Sequence, residues 1–366
     1  MNHPLEEALN LAERGWGATS PNPAVGAVVV RDGEVVGRGY HTWAGVKHAE
    51  VIALEEAQER ARGATMYVTL EPCAHHGRTP PCIDAILAAG VRKVVAPMED
   101  PNPLTRGRGF TRLRDAGVEV ELAGQYAVRA AEINEASVHF MRIGRPLVTL
   151  KAAVTLDGKI GAPEDNAGFI TSETARAHVQ TLRHRSDAIL TGIGTVLADD
   201  CRLTDRSGLE RSRPLLRIVL DSQLRLPSES RLVTSSDNDV LVVTTSAGSL
   251  DRRRRLESMG VRVEVLEGSD GRVSLQSVVE LLAREKYLSL MIEAGSRVNW
   301  SALESGVADK IYFYYAPKIL GGTQSIPVAG GMGRRRRKDA IRFREVKLHS
   351  IAKDEFAVEA WVERGD

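Results

Sequence analysis

The chain predicts two consecutive α/β domains, and three observations carry that reading. Strand and helix signals alternate along most of its length, the segment Gly144-Arg145-Pro146 interrupts them once, and 366 residues exceed one ordinary core. Glycine closes helices and proline cannot continue one, so residues 144–146 are the expected linker between domains at 1–144 and 147–366.

In the first half, helices are expected over residues 5–14, 47–62, 81–89, 105–117 and 125–143. Strands are expected over 24–30, 34–41, 64–70, 91–97 and 118–122. Asp32-Gly33 joins the first two strands as a hairpin turn. Such alternation implies a sheet covered by helices on both faces. In the second half, 147–154 reads as a buried strand and 172–185 as a helix capped by Ser172. Further strands fall at 187–191, 216–220, 240–244, 261–266, 288–293 and 310–315.

Composition narrows the function classes. Lysine plus arginine (49) nearly balances aspartate plus glutamate (48), so nothing in the overall charge favours wrapping nucleic acid. The arginine runs 252–255 and 334–337 are short and read as solvated faces or loops. No apolar run approaches the roughly 18 residues that span a bilayer, and the start lacks a signal-peptide pattern. The expectation is a cytoplasmic protein with neither a membrane nor a nucleic-acid partner. Three cysteines form no disulfide framework, and in a reducing compartment Cys73 and Cys82 point to metal more than to a disulfide.

His48-Ala49-Glu50, Pro72-Cys73 and Cys82 supply three zinc ligands, His48, Cys73 and Cys82, and one carboxylate that is not a ligand. A catalytic zinc takes three protein ligands and leaves a position for water, whose pKa it lowers to about 7. Glu50, two residues past His48, suits a proton shuttle during hydrolytic removal of an exocyclic amine. Cys82 sits at an expected helix start, where the dipole favours a thiolate. The order H-x-E, P-C, C matches the base-deaminase signature, but eight residues separate the cysteines instead of the usual two. Within that gap His75 and His76 are either rival ligands or substrate donors, and Arg78 and Thr79 suit a phosphate.

Ser20-Pro21-Asn22-Pro23-Ala24-Val25-Gly26, the His48-Ala49-Glu50 triplet and the stretch 71–82 resemble the bifunctional pyrimidine deaminase-reductase family of riboflavin biosynthesis, in which the long inter-cysteine loop is usual. The resemblance implies a cytidine-deaminase-like three-layer α/β/α domain, followed by an α/β domain similar to dihydrofolate reductase. It implies Zn2+ and NADPH as cofactors and a diaminopyrimidinone carrying ribosylamine 5-phosphate as substrate. By position, Asn22 and His41 would contact the base. His75, Arg78, Thr79, Asp100 and Asn102 would complete the deaminase substrate site, several of them toward the ribose phosphate.

Alone, Thr191-Gly192-Ile193-Gly194-Thr195 reads as a tight strand-to-helix turn and not a dinucleotide fingerprint, because Leu197 stands where the third glycine belongs. Arg176, Gln180 and Arg183 share one helical face, which fits anion binding or solvation equally. The resemblance continues through Lys151 to Ile160, 182–183, 187–206, 219–222, 293–295 and 316–322, and implies reduction of the ribose C1 carbon. Ala153, Phe169, Thr195, Asp199, Ser222, Gly295, Ser296, Arg297, Val298, Asn299, Trp300 and Ser301 would then line the cofactor. Lys151, Ala167, Arg183, Leu203, Arg206 and Glu293 would face the substrate. Cys201 stands where the family commonly has proline, Ala167 where serine is common, and Phe169 in place of a frequent tryptophan.

A homo-oligomer, dimer or tetramer, is implied by the resemblance alone. Two rival readings are a nucleoside or nucleic-acid base deaminase with an accessory C-terminal domain, and a structural zinc protein with a nucleotide-binding half. The first expects two-residue cysteine spacing and a basic or aromatic groove. The second expects a fourth protein ligand.

Overall fold

The computed structural model describes residues 3–42, 47–75, 80–164, 168–268 and 271–364. Two compact units emerge: Met1–Gly144 with Glu210–Arg213, and Arg145–Leu209 with Pro214–Asp366.

The first unit runs α1 (Pro4–Glu13), β1 (Gly26–Arg31), β2 (Glu34–Tyr40), α2 (Ala49–Ala57), β3 (Thr65–Val68), α3 (Cys82–Ala88), β4 (Lys93–Ala96), α4 (Arg108–Asp115), β5 (Glu119–Leu122), α5 (Ala127–Ile133) and α6 (Glu135–Ile143). Its five strands order as β2-β1-β3-β4-β5. The first three pair antiparallel and β3, β4 and β5 run parallel. Alternation along β1 separates the layers. Val28 faces Leu5 and Ala8 of α1, while Ala27 and Val29 join Ala53 of α2, Ile83 and Ile86 of α3 and Phe110 and Leu113 of α4.

Three glycines let the helices lie on the strand backbone itself. A Cβ on Gly26 would fall 2.0 Å from Ala8 O, one on Gly37 2.1 Å from Ala53 O, and one on Gly39 2.1 Å from Ala49 O. The hairpin turn needs the opposite property: Gly33 has φ +82° with open space around it. Two expected helices are cut short. Residues 47–62 give α2 followed by a single 3-10 turn, because Gln58 adopts φ +49°. Residues 125–143 break at Asn134, whose buried side chain accepts from Ala24 N (2.7 Å) and donates to Ala24 O (2.9 Å). That amide clamp draws Asn134 out of regular helix geometry.

The second unit runs β6 (Leu147–Thr155), β7 (Lys159–Gly161), α7 (Glu173–Arg185), β8 (Ala188–Gly192), α8 (Ile193–Asp199), β9 (Leu216–Leu220), α9 (Arg231–Thr234), β10 (Val240–Thr244), α10 (Leu250–Ser258), β11 (Val261–Val265), α11 (Leu275–Arg284), β12 (Ser289–Ile292), α12 (Ser296–Glu304), β13 (Lys310–Ala316), β14 (Ile326–Pro327), β15 (Phe343–Ala352) and β16 (Glu355–Val362). Nine strands order as β11-β10-β9-β8-β12-β6-β13-β16-β15, parallel from β11 through β13 and antiparallel in the last two. α11 and α12 cover one face through Val278, Leu282 and Ala302; α8, α9 and α10 cover the other through Val196, Leu232 and Leu256. α7 lies over Tyr312 and Tyr314. Ser172 caps α7 as expected, its Oγ accepting from Ala175 N at 3.3 Å.

The strands at β15 and β16 lie beyond the expected set. β15 faces solvent along most of its length, and its apolar residues do not mark out one buried face as strand alternation does. Both arginine runs are surface features: Arg253 pairs with Glu257 (2.8 Å), Arg336 with Asp339 (2.6 Å), and Arg334 lies over the Trp300 ring. No described helix is long and apolar enough to cross a membrane.

Gly39→Ala is expected to destabilise the first unit by about 3 kcal/mol, the upper range for overpacking, since the added methyl meets helix backbone. Gly33→Ala should cost only about 1 to 2 kcal/mol, from the left-handed φ alone. Urea unfolding followed by hydrogen exchange at the α2 amides measures both.

Candidate metal centre and second polar site

Local chain geometry explains how three distant ligands meet. His48 immediately precedes α2, whose backbone rests on Gly37 and Gly39. Cys73 follows the end of β3, and Cys82 is the first residue of α3, after Pro80-Pro81. His48 Nδ1 lies 3.0 Å from Cys82 Sγ and 3.5 Å from Cys73 Sγ, and the two sulfurs are 3.3 Å apart. Zinc bonds of about 2.3 Å to sulfur and 2.0 Å to nitrogen give tetrahedral edges of roughly 3.5 to 3.8 Å, so the cluster fits one zinc with little adjustment. Among the described residues the group contains three ligands, which leaves one tetrahedral position open.

The electrostatics suit metal binding. The Cys82 thiol beside it, outweighing burial, and then His48 bring the Cys73 thiol down to about 4, and the Cys82 backbone N–H donates to its sulfur at 3.2 Å. Cys73 and burial push the Cys82 thiol up, so the two sulfurs compete for a proton. A bound dication removes that conflict, since both sulfurs then ligate as thiolates. Glu50 is 4% exposed, and burial first, then Cys73, raises its carboxyl pKa. A carboxyl so placed can take up and return a proton.

His41 and Asn22 close one side. His41 Nδ1 donates to Lys47 O at 2.9 Å, so its Nε2 accepts from Asn22 Nδ2 at 3.1 Å, and its ring meets that of His48 edge-on at 5.3 Å. Burial lowers the His41 pKa and keeps the ring neutral. Asp100 and Asn102 lie in the loop after β4. Asp100 accepts from Asn102 N (2.9 Å) and Thr105 Oγ1 (2.5 Å), and Asn102 Oδ1 accepts from Leu104 N (3.0 Å). His75 is exposed; His76, Arg78, Thr79 and Ala167 lie outside the described residues.

In the second unit, Glu293 follows β12, Lys151 lies on the neighbouring β6, and Arg183 reaches in from α7. Glu293 Oε1 receives Lys151 Nζ at 2.9 Å, and Oε2 receives Arg183 Nη2 at 2.9 Å and Nε at 3.2 Å. Burial pushes the Glu293 carboxyl up, but the two cations outweigh it and hold the group at about 2. Arg183 Nη1 also donates to Thr204 O at 2.8 Å. Gln180 accepts from Arg206 N at 2.9 Å, and Arg176 stacks on Phe169 with its guanidinium carbon 4.0 Å from the ring centre. The shared helical face of Arg176, Gln180 and Arg183 thus points at partners. Leu203 is buried in the core with φ +54°, so only its backbone is available to a ligand, whereas Arg206 is exposed.

The expected cofactor residues divide in two. β8 and β12 are adjacent parallel strands, so the starts of α8 and α12 stand together at their C-terminal edge, with Gly295 beside Thr195 and Val298 beside Gly192. Gly194 has open space around it, as a backbone approached by a pyrophosphate requires. Ser222 lies two residues past β9, and its carbonyl accepts from Thr245 Oγ1 at 2.8 Å. Ala153 is half-buried on β6, while Phe169, Asp199, Arg297 and Ser301 are exposed. Ser296 is tied to Pro327 O. Asn299 turns inward, fully buried, donating to Val328 O at 2.8 Å, and Trp300 carries Arg334.

Residues 2–98 match the cytidine and deoxycytidylate deaminase zinc-binding region, and residues 146–355 match the RibD C-terminal domain. The chain is 41% identical to riboflavin biosynthesis protein RibD of Escherichia coli (strain K12) over 365 residues, 96% of each chain. It is also 41% identical to that of Actinobacillus pleuropneumoniae over 350 residues, 96% of this chain and 92% of the relative. The chain belongs to the RibD family. Among solved structures, Acinetobacter baumannii RibD matches at a TM-score of 0.87 with 35% identity, covering 99% of this chain and 98% of that one. The Thermotoga maritima deaminase/reductase matches at 0.83 with 33% identity, covering 98% of each.

Family membership makes the chain a bifunctional enzyme of riboflavin biosynthesis, with a zinc-dependent deaminase and an NADPH-using reductase. Both expected fold classes hold, and the rival reading of a nucleic-acid deaminase with an accessory domain gives way, because the second half matches a reductase domain in its own right.

Cys82→Ala should lower zinc from one per chain to a small fraction, read by atomic emission on dialysed protein, since two ligands do not hold the ion. In the second unit, an unfolded glutamate titrates near 4.5 and folded Glu293 near 2. Its stabilisation is therefore complete above about pH 4.5 and fades as pH falls toward 2. Glu293→Gln should be less stable than the parent at pH 7, and the gap should narrow below pH 4.5 in urea titrations.

Proposed function

We propose that residues 1–144 deaminate 2,5-diamino-6-(5-phosphoribosylamino)pyrimidin-4(3H)-one and that residues 147–366 then reduce 5-amino-6-(5-phosphoribosylamino)uracil to the ribityl compound. The observation that carries the reading is the three-ligand cluster with one open position and a buried Glu50 beside it, in a chain whose second unit gathers Lys151, Arg183 and Glu293. The Thermotoga maritima relative, a diaminohydroxyphosphoribosylaminopyrimidine deaminase/5-amino-6-(5-phosphoribosylamino)uracil reductase, supports the choice of substrates.

Zinc, when held by His48, Cys73 and Cys82, supplies the Lewis acidity that makes water a nucleophile at neutral pH. Glu50 takes the proton that water gives up, delivers it to the ring nitrogen, and assists departure of the amine as ammonia. The ring carbon gains an oxygen and loses a nitrogen. Asn22 and the neutral His41 hold the base, with the Asn22 amide oriented by its bond to His41. Asp100 and Asn102, with His75, Arg78 and Thr79, take the ribose phosphate side.

NADPH, when bound, supplies the hydride. The starts of α8 and α12 with Thr195 and Gly295 to Ser301 would hold it, together with Ala153, Phe169, Asp199 and Ser222. C1 of the opened sugar receives the hydride and the amine nitrogen receives a proton. Lys151 faces this reacting end, its Nζ held 2.9 Å from Glu293 Oε1. Arg183 is committed to Glu293 and Thr204 O, so exposed Arg206 is the better partner for the substrate phosphate. We read the chain as a cytoplasmic homo-oligomer, dimer or tetramer, on family resemblance.

Glu50→Gln should cut ammonia release by about a hundred- to ten-thousand-fold and leave NADPH oxidation intact when deaminated substrate is supplied. Lys151→Met should do the reverse. A coupled assay following ammonia and NADPH together checks both, and loss of both activities in either variant would refute independent sites.

A further inference from the structure

One buried carboxylate at the metal centre has no part in the chemistry described above. Glu71 is two residues before Cys73 and 6% exposed, and among the described residues its hydrogen bonds come from backbone N–H groups. Oε1 accepts from Gly109 N (2.7 Å) and Phe110 N (3.2 Å), and Oε2 accepts from Asp100 N (2.8 Å) and Gly107 N (2.9 Å).

Two of these donors are among the first N–H groups of α4, which has no capping side chain at Gly107. Glu71 therefore caps that helix from a distant part of the chain, where a negative charge is favoured. The other two bracket the loop from Asp100 to Gly107. Gly109 completes the contact: a Cβ there would fall 2.2 Å from Pro72 O, so α4 begins directly against the chain leading to Cys73.

We propose that Glu71 is a positioning residue for the deaminase substrate. It fixes the height of Asp100 and Asn102 relative to the ligand Cys73, and so sets the distance between the ring that loses its amine and the ribose phosphate end. The geometry is suited to this because one rigid carboxylate touches both ends of the loop, while Asp100 in turn orders Asn102 and Thr105. The inference rests on the reading that Asp100 and Asn102 face the ribose phosphate. Glutamine is the discriminating substitution: of similar size, it keeps one oxygen and turns an N–H2 toward two N–H donors.

The test uses the full chain, loaded with zinc, as Glu71→Gln, Asp100→Ala and the double variant. Glu71→Gln is expected to retain one zinc per chain and exchange the amides of Gly107, Gly109 and Phe110 at least roughly tenfold faster. Its KM for the phosphorylated substrate should rise roughly tenfold, with kcat within about twofold. Adding Asp100→Ala should raise KM little further, because both changes act through one loop. If Asp100→Ala raises KM and Glu71→Gln does not, or the two effects add in full, the inference fails while the substrate reading stands. If neither raises KM, the substrate reading falls and the inference with it. Zinc loss, or a fall in kcat at unchanged KM, would assign Glu71 to the metal centre and overturn the inference. Slow exchange of the β1 and β3 amides reports that the first unit is folded, and Glu71→Asp, which keeps the carboxylate, replaces the glutamine variant if that one does not fold.

Discussion

The direct seating of α2 on the backbone of β2 is the constraint on which the metal centre depends. Gly37 and Gly39 leave no side chain between helix and strand, and the Ala53 and Ala49 carbonyls occupy the space a Cβ would need. Because α2 cannot ride higher, its first turn brings His48 and Glu50 level with the ends of β3 and α3, where Cys73 and Cys82 wait. A one-methyl change far from the ligands would therefore act on ligand geometry, in the same way that tightly packed interiors transmit strain.

The second unit solves a similar problem with charge instead of contact. Lys151 and Arg183 come from a strand and a helix distant in sequence, and Glu293 is the anion common to both. Placing two cations and one carboxylate at the C-terminal edge of parallel strands follows the general rule for open α/β sheets, where ligands bind beyond the carboxyl ends. Cys73 obeys the same rule in the first unit, since it follows the end of β3, which is parallel to β4. The first unit's cluster thus lies where α2 and α3 start and past the end of β3.

Much of this was legible in the residues themselves. The Asp32-Gly33 hairpin, the Ser172 cap and the ligand set were readable because each is local: a turn dipeptide, a capping hydroxyl, a short run around each ligand. What escaped depends on contacts between distant segments. The break at Asn134 requires knowing that Ala24 lies against it, and the roles of Gly26, Gly37 and Gly39 require knowing which helix lies above. Glu71 read only as part of a family string, since its four donors lie 29 to 39 residues away. Leu203 and Asn299 carried family roles, yet their side chains are buried in the domain interior, a distinction sequence alone does not draw.

Two glutamates, Glu50 buried and Glu293 partly so, make the same point about function. Burial raises the pKa of both carboxyls, but their neighbours differ. At Glu50 burial acts first and Cys73 adds to it, so its carboxyl is raised. Glu293 sits between Lys151 and Arg183, which reverse the burial effect and fix it as an anion near pH 2 and above. The same residue type is thus shifted in opposite directions by its surroundings, up by burial at Glu50 and down by two cations at Glu293. The upward shift suits the proton carrier proposed for hydrolysis, which must move a proton at each turnover.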